Sequence, residues 1–371
     1  MSAWFEQPLE RASAAPATLA ERVAQVAGAE LLPLVRSIDE GHYPERVLRR
    51  LGEVGAFAPH VTPPEGPTGV FQAIEAMASV GRHCLATAFC VWCQDTFAWY
   101  LANSENRELR ERFLPGARSG ALLGGTGLSN PMKATCGIEP MRLLGREVAG
   151  GFVVNGTLPW VSNLGPLHHF GTSFQVAGED RQVMALVDCS LPGIRLGGEA
   201  RFLALDGTRT FSVGFREVFI PRALVLADPA APFIARVKAG FILLQTGMAL
   251  GLIRGCVDVM RKADETQEHV NRFLEERPPL FLEALEGLES EISELSRTPF
   301  ESSREYQRRV LRARLSASEW SLRAAQAALL HAGAKGYLAG AAAQRKLREA
   351  FFVAIVTPAT KHLRRELASP G

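Results

Sequence analysis

The chain has 371 residues, of which 47% are hydrophobic, and its 41 basic and 39 acidic residues give a formal net charge of +2. A chain of this length can bury a large core, but so small a charge provides no general field to attract nucleic acid or an anionic membrane. We therefore expect a folded cytoplasmic protein that binds neither nucleic acid nor a membrane.

Helical periodicity dominates from about Ala17 to Ala117. Segments such as LAERVAQVAGAELLPLVRSI and PERVLRRLGEVGAF repeat apolar residues at three- and four-residue spacing. This spacing predicts amphipathic helices, so we assign residues 1–120 to an N-terminal α-helical domain.

The six cysteines are scattered through mostly apolar segments, which is typical of reduced thiols in a cytoplasmic protein. Cys90 and Cys93 form a CxxC pair inside AFCVWCQD, but no second pair of ligands accompanies them. Because metal sites need ligands in sets, we interpret this pair as part of a helix core and expect no metal site.

The texture changes between about Ala121 and Leu226, where short runs are rich in Val, Phe, Thr and Gly. In GGFVVNGTLPWVSN, the pair Asn155-Gly156 is a hairpin-turn signal. Alternation from Phe211 to Phe215, between frequent Gly and Pro turns, predicts antiparallel strands. We assign residues 121–228 to a central antiparallel β-domain.

Helical patterns resume after the connector that begins at Asp228, and residues 229–371 form a predicted C-terminal α-helical domain. In REAFFVAIVTPATKHLRREL, a helix should end or kink at about Thr357, because Pro358 cannot continue the hydrogen-bond pattern. The longest apolar run, Ala239 to Ile253, is too short to span a bilayer. The chain is thus predicted to be an α+β protein with the order helix, sheet, helix.

Four segments, read in order, resemble the acyl-CoA dehydrogenase family of flavoproteins. They are ERFLPGARSGALLGGTGLSNP, GGFVVNGTLPWVSN, LDGTRTFSVGFREVFIP and HAGAKGYLAGAAAQRKLREAFFVAI. The resemblance covers nearly the whole chain and depends on the order and spacing of the segments. It implies an N-terminal helical domain, a central antiparallel β-domain and a C-terminal four-helix bundle, with FAD bound between the sheet and the C-terminal helices.

The resemblance also implies residues for the flavin ring. Trp160 would lie against the isoalloxazine, Ser162 would hydrogen-bond near flavin N5, and Thr126 would contact the pyrimidine side. A flavin needs an apolar wall and a few fixed polar groups that tune its electronics. Without the resemblance, Trp160 and Ser162 would be interpreted as a buried aromatic residue and a turn-capping hydroxyl.

Gly333, Gly336 and Tyr337 match the segment with which a neighbouring subunit of the family binds the FAD pyrophosphate. Glycines allow the backbone to approach an anion closely. This match implies a homodimer or homotetramer. The alternative is that small residues at these positions serve only helix packing.

The family pattern breaks at the catalytic base. Family members remove an α-proton with a Glu at one of two positions, which in this chain hold Thr357 and Phe241. A Thr hydroxyl has no accessible basic form at neutral pH, and Phe has no basic group. We therefore assign no catalytic residue.

Four histidines, each more often structural or exposed than catalytic, are the remaining candidates for a base. They are His168, His169, His331 and His362.

Three functions remain open at this point. The first is FAD-dependent α,β-dehydrogenation of an acyl thioester with a displaced base. The second is a flavin-dependent monooxygenase on the same fold, which uses reduced flavin and oxygen and needs no Glu. The third is a non-catalytic paralogue. An enzyme of either kind would take a small-molecule or thioester substrate and use an electron-transfer protein or flavin reductase as partner.

Overall fold

The computed structural model describes residues 17–62 and 69–369. Helices come first, a sheet follows, and helices return to the end of the described chain. The predicted α+β order of helix, sheet, helix is therefore confirmed.

Six helices precede the sheet. They are α1 (Leu19–Val26), α2 (Val35–Asp39), α3 (Glu45–Glu53), α4 (Gly69–Gly81), α5 (Leu85–Asn103) and α6 (Arg107–Ser119). Helix α5 has no solvent-exposed face over most of its length, since every residue from Leu85 to Leu101 is buried. Both cysteines of the CxxC pair lie on α5 as buried free thiols, as expected for a helix core.

The central region contains eight strands and one short helix. They are β1 (Gly124–Thr126), α7 (Ser129–Thr135), β2 (Leu143–Val148), β3 (Gly151–Val161), β4 (His169–Val176), β5 (Gln182–Asp188), β6 (Ile194–Glu199), β7 (Phe211–Pro221) and β8 (Val225–Ala227). The sheet order is β6-β7-β3-β2-β4-β5-β8, and β1 pairs with β4.

The sheet is mixed rather than wholly antiparallel. Strands β1 and β2 both run parallel to β4, against its first and its last residues, while the other pairs are antiparallel. Alternation along a single strand indicates which face is buried but not the direction of its neighbour. The sequence pattern therefore predicted strands correctly without resolving these two parallel pairs.

The prediction of a hairpin turn at Asn155-Gly156 is wrong. Strand β3 runs through this pair, and the turn between β2 and β3 lies at Ala149-Gly150. The pairing of β3 with β7 shifts register between Val154 and Gly156, as at a β-bulge. A Cβ added at Gly156 would lie 2.1 Å from the backbone oxygen of Arg142, so glycine is required for close packing as well.

Six helices follow the sheet. They are α8 (Ala230–Leu244), α9 (Thr246–Asn271), α10 (Pro278–Ser296), α11 (Arg304–Tyr337), α12 (Ala342–Ile355) and α13 (Thr360–Ala368). Helices α8 and α9 are separated only by Gln245, so we count them as one long element. With α10, α11 and α12 this gives four long elements. This is the expected four-helix bundle, with α13 added to it.

Helices α8 and α9 together are long and apolar enough to cross a membrane. Of their most apolar window, however, 94% is buried inside the protein, as in the core helix of a soluble domain. The cytoplasmic location stays a prediction.

The end of α12 follows the prediction from the sequence. The helix stops at Ile355, and α13 begins at Thr360 after the Thr357-Pro358 pair. The division into domains at residues 120/121 and 228/229 cuts the chain between α6 and β1 and between β8 and α8, and it stays a prediction.

Candidate active site

A cavity of about 430 Å³ lies where the end of β3 meets α5, α8 and α12. Five residues singled out in the sequence line it together: Thr126, Trp160, Ser162, Phe241 and Thr357. They come from the sheet and from the C-terminal helices, so the fold brings both halves of the predicted site to one place. We call this space the main cavity.

The end of β3 is fixed by Asn163. This buried residue has a φ of +62°, a left-handed conformation that asparagine tolerates better than most residues. Its amide nitrogen donates to the Gly124 carbonyl at 2.7 Å, and its side-chain oxygen accepts from the Tyr43 hydroxyl at 2.7 Å. The strand end is thereby tied to β1 and to the N-terminal helices, and the preceding residues face the main cavity.

Trp160 forms an accessible aromatic wall. It is 51% exposed, and its ring lies 5.5 Å from that of Phe202, centroid to centroid. A large aromatic side chain that stays exposed beside a cavity is typical of a binding surface rather than of a core. The alternative interpretation of Trp160 as a buried aromatic residue is thus excluded by its exposure.

Ser162 belongs to a chain of hydroxyls. Its Oγ lies 2.6 Å from Thr210 Oγ1, which lies 2.8 Å from Thr208 Oγ1, and Thr208 donates to the Leu205 carbonyl at 2.8 Å. Each hydroxyl has one proton, so Thr208 must accept from Thr210, and Thr210 from Ser162. With its proton committed to this chain, Ser162 presents only acceptor lone pairs to the main cavity.

Thr126 is held by α5. Its Oγ1 lies 2.9 Å from the Tyr100 hydroxyl and accepts from the Leu128 backbone N–H at 3.3 Å. These contacts fix the side chain at the end of β1, on the sheet side of the main cavity.

Phe241 lies among other aromatic rings. Its ring centroid is 5.1 Å from that of Trp92 and 6.4 Å from that of Tyr100, and the side chain is 4% exposed. Phe89 and Phe352, whose centroids are 4.6 Å apart, continue this wall. The second position of the family's base is therefore part of an apolar surface that would penalise an ionised carboxylate.

Thr357 is held by two other segments. Its Oγ1 lies 3.0 Å from Ser129 Oγ, and its carbonyl accepts from Gln245 Nε2 at 2.8 Å. Gln245 Oε1 in turn accepts from Arg314 Nε at 2.9 Å. Position and hydroxyl orientation of Thr357 thus depend on α7 and on the junction between α8 and α9.

Arg314 is a fully buried cation. Besides Gln245, it donates to the Val353 carbonyl at 2.7 Å and to Ser318 Oγ. Within residues 17–62 and 69–369, no carboxylate hydrogen-bonds to it, and burial lowers the pKa of Arg314 to about 10. The sequence contains a signal that would have found it: Arg314 follows Val310 by four residues, in phase with the buried face of α11.

The main cavity has no acid among its described lining residues. Its ionisable side chains are Lys133, Arg348 and the Cys93 thiol, and burial raises the pKa of Cys93 well above its ordinary value. Arg348 is engaged with Asp39 and the Leu203 carbonyl. Lys133 Nζ lies 3.9 Å from Glu139, so both lining cations have a carboxylate beside them just outside the lining.

The four candidate histidines make other contacts, and none lines the main cavity in the described part of the chain. His168 Nδ1 lies 2.9 Å from the Asn163 carbonyl, and His169 Nε2 lies 3.6 Å from Asp188. His331 is fully buried between Asp264 and the Glu276 carbonyl. His362 Nε2 lies 3.0 Å from Glu366 Oε1 and does not line the main cavity.

The glycine-rich segment lies elsewhere. Gly333 interrupts α11 with a φ of +56°, and Tyr337 at the end of that helix is 78% exposed. Neither they nor Gly336 line the main cavity. The structure thus separates the predicted pyrophosphate segment from the predicted ring site of the same chain.

The main cavity fits a flavin ring in its aromatic and hydroxyl groups. An accessible Trp160 plane, the fixed Thr126 and Ser162 hydroxyls and an opposing aromatic wall are the groups a tricyclic ring needs. The pyrophosphate and adenine have no counterpart in this space, so the fit concerns the isoalloxazine end only.

A family model described as acyl-CoA dehydrogenase, N-terminal domain, matches residues 14–121. Benzylmalonyl-CoA dehydrogenase of Aromatoleum aromaticum is 26% identical over 262 residues, which cover 67% of this chain and 69% of that relative.

Solved structures of similar fold include butyryl-CoA dehydrogenase from Megasphaera elsdenii, with a TM-score of 0.82 and 16% identity over 94% of this chain and 96% of that one. Glutaryl-CoA dehydrogenase from Mycobacterium smegmatis in complex with FADH2 has a TM-score of 0.74 and 18% identity over 94% and 92% of the two chains. At sequence identities of 16% and 18%, the structural match supports the fold assignment alone.

Proposed function

Because the chain belongs to the acyl-CoA dehydrogenase family, we propose that it is a FAD-dependent oxidoreductase that dehydrogenates the Cα–Cβ bond of an acyl thioester. One observation supports this function above others. The three residues expected at the flavin ring, Thr126, Trp160 and Ser162, line the same cavity as both positions of the family's base.

The chain's own residues bind and orient the reactants. Phe89, Trp92, Phe241 and Phe352 give the main cavity an apolar wall against which the acyl chain can pack. When bound, FAD supplies the acceptor for the hydride that leaves Cβ. Lys133 and Arg348, each beside a carboxylate outside the lining, are the cations available to the negative charge that develops on the thioester carbonyl as the Cα proton leaves.

The proposed acceptor of the Cα proton differs from the Glu that other members of the family use. With no carboxylate lining the described cavity, the Cα proton leaves to a water molecule rather than to a Glu. Water is a weak base, so the substrate must have an acidic Cα–H. We therefore include in the proposal a thioester that bears a second electron-withdrawing group at Cα.

The test is anaerobic mixing of the FAD-loaded protein with acyl thioesters. Thioesters with an electron-withdrawing Cα substituent are expected to bleach the flavin absorbance, and simple straight-chain thioesters are expected to bleach it more slowly. If no thioester of either kind bleaches a stably bound flavin, dehydrogenation is the wrong reaction.

A second candidate function is oxygen insertion by reduced flavin and O2. The absence of Asp, Glu and His from the described lining favours it, since this chemistry needs no base at Cα. Reduced FAD-loaded protein mixed with O2 and a substrate panel would then give an oxygenated product. Stoichiometric hydrogen peroxide without product would exclude this candidate.

A further inference from the structure

Three potential metal ligands converge beside the main cavity. Cys136 follows the last residue of α7, and His362 and Glu366 lie four residues apart on one face of α13. Cys136 Sγ lies 3.3 Å from Glu366 Oε1, and His362 Nε2 lies 3.0 Å from the same oxygen. All three ligand atoms lie within 4.8 Å of one another, and we call them the Cys-His-Glu cluster.

The hydrogen bonds of the Cys-His-Glu cluster are incomplete. His362 is 4% exposed, and its Nε2 has no hydrogen-bond partner in the described chain although Glu366 Oε1 is near, so the two are not aligned. An unpaired buried nitrogen is costly, typically by about 1–3 kcal/mol. The nitrogen therefore points into the cluster without a satisfactory partner.

Lys238 donates a hydrogen bond to the second carboxylate oxygen of Glu366. Its Nζ lies 3.1 Å from Glu366 Oε2, whereas the thiol and the imidazole approach Oε1. Oε1 thus faces the other two potential ligands, and a cation bound there would replace the thiol proton that Oε1 now accepts, while Oε2 stays held by Lys238. Such an outer contact orients a carboxylate ligand, as it does in known metal centres.

From this geometry we propose that Cys136, His362 and Glu366 bind Zn(II). Tetrahedral zinc with sulfur at about 2.3 Å and nitrogen or oxygen at about 2.0–2.2 Å separates neighbouring ligand atoms by roughly 3.2–3.7 Å. The two distances to Oε1 are already close to this range. Thiolate and imidazole together select zinc over magnesium or calcium.

The fourth position faces open space. Cys136, Glu366 and Lys238 line a cavity of about 60 Å³ that also touches Phe241. This is room for a water molecule as the remaining ligand. The Cys136 thiol donates its proton to Glu366, and because zinc binds the thiolate, this proton is released to the buffer as the Zn–S bond forms.

A metal here would connect the two segments that border the main cavity. Helix α7 begins at Ser129, whose hydroxyl contacts Thr357, and α13 begins three residues after Thr357. Zinc would hold α7 to α13 and would thereby stabilise the Ser129–Thr357 contact, which joins the starts of the same two segments. Its role is positional, and it has no part in the electron transfer.

The test uses full-length protein stripped of metal with a chelator and titrated with Co(II), then with Zn(II). We expect one equivalent to bind with a thiolate-to-cobalt charge-transfer band, which Zn(II) abolishes, and with release of at least one proton. Cys136→Ser should lose the band, while Cys189→Ser, which alters a buried cysteine outside the cluster, should keep it.

Two further variants keep the test decisive. Glu366→Gln preserves the shape of the side chain and should weaken metal binding at least about 10-fold. Lys238→Met removes only the outer contact and should retain one equivalent. Absence of a stoichiometric cobalt band, or a band that survives Cys136→Ser, would overturn the proposal; circular dichroism of each variant checks that it is folded.

Discussion

At the scale of single residues, the position of Thr357 sets the chemistry of the site. Its hydroxyl contacts Ser129 and projects into a cavity whose described lining has no acid. By the resemblance, Thr357 takes one of the two positions at which the family carries its Glu, and Phe241 takes the other. We propose that the missing base is a matter of these side chains rather than of a lost cavity.

Thr357→Glu tests this directly. A positioned general base contributes about 10²–10⁴-fold, so we expect thioester-dependent bleaching of the bound flavin to accelerate about 100-fold. Thr357→Gln has the same size without a base and should not accelerate it. Equal rates for the two variants would mean that proton removal does not limit the reaction.

The hydrogen bond that the Ser162 hydroxyl donates to Thr210 gives a second prediction. Thr210→Val removes the acceptor of the Ser162 hydroxyl, which can then donate into the main cavity. If Ser162 lies at flavin N5, oxidised flavin gains a hydrogen bond of about 1 kcal/mol, and the midpoint potential falls by about 20 mV. A potentiometric titration measures this, with Thr210→Ser as control. An unchanged potential in the Val variant would place Ser162 away from N5.

At the scale of elements, the Arg314 side chain connects three helices. It lies on α11, contacts Gln245 between α8 and α9, and donates to the Val353 carbonyl of α12. The Gln245 amide continues this network to the Thr357 carbonyl. A buried cation thus supports the loop that carries the base position.

Arg314→Met should lower the free energy of unfolding by about 2–3 kcal/mol, because Gln245 Oε1 and the Val353 carbonyl lose buried donors. Arg312→Met, on an exposed position of the same helix, should change it by less than about 0.5 kcal/mol. Denaturant unfolding followed by circular dichroism compares them. A neutral Arg314→Met would show that this network does not stabilise the fold.

Helix α5 carries a buried titratable group, the side chain of Asp95. Its carboxylate oxygens have no hydrogen-bond partner in the described structure, and burial raises its pKa well above the ordinary value. His60 Nε2 lies 3.8 Å away, but burial lowers the pKa of His60 to about 4, so it offers no cation at neutral pH. A raised pKa means that Asp95 stabilises the folded state at low pH and that this contribution is lost as the pH rises.

Asp95→Asn should therefore stabilise the protein, and the gain should grow as the pH rises from 4 towards 8. The exposed Asp180→Asn serves as the matched control and should show no such trend. Unfolding free energies measured across this range check the prediction. A gain that is constant with pH would mean that Asp95 is not held neutral in the folded protein.

At the scale of the whole molecule, an exposed apolar group surrounds the end of α11. Leu330, Tyr337 and Leu338 are 65%, 78% and 64% exposed, respectively, near the glycines expected to bind the FAD pyrophosphate of a neighbouring subunit. Apolar groups this accessible are typical of an interface. The proposed homodimer or homotetramer would cover them.

Light scattering of the purified protein should therefore give a dimer or tetramer mass. Leu330→Glu combined with Leu338→Glu should lower that mass and reduce FAD retention, since the partner would no longer complete the site. Leu144→Glu, on an exposed strand position, should do neither. A monomeric parent protein that binds FAD tightly would contradict this assembly.

Local sequence patterns were sufficient to predict the order helix, sheet, helix, the helix end near Thr357 and the residues to compare with a flavoprotein site. These depend on local periodicity, turn residues and short motifs, which act within a few residues along the chain. These local patterns did not predict the bulge at Asn155-Gly156. A turn signal inside a long strand is overridden when that strand pairs with a neighbouring strand on each side.

Contacts between distant side chains could not be predicted from these patterns, because they depend on how the folded chain packs. Arg314 lies behind Thr357, the Ser162 hydroxyl donates into a threonine chain, and Cys136 comes to lie beside His362 and Glu366. Each of these contacts joins segments far apart in sequence, and burial then determines whether a polar group must find a partner or remain unpaired. The same packing gives the main cavity a described lining that contains no carboxylate.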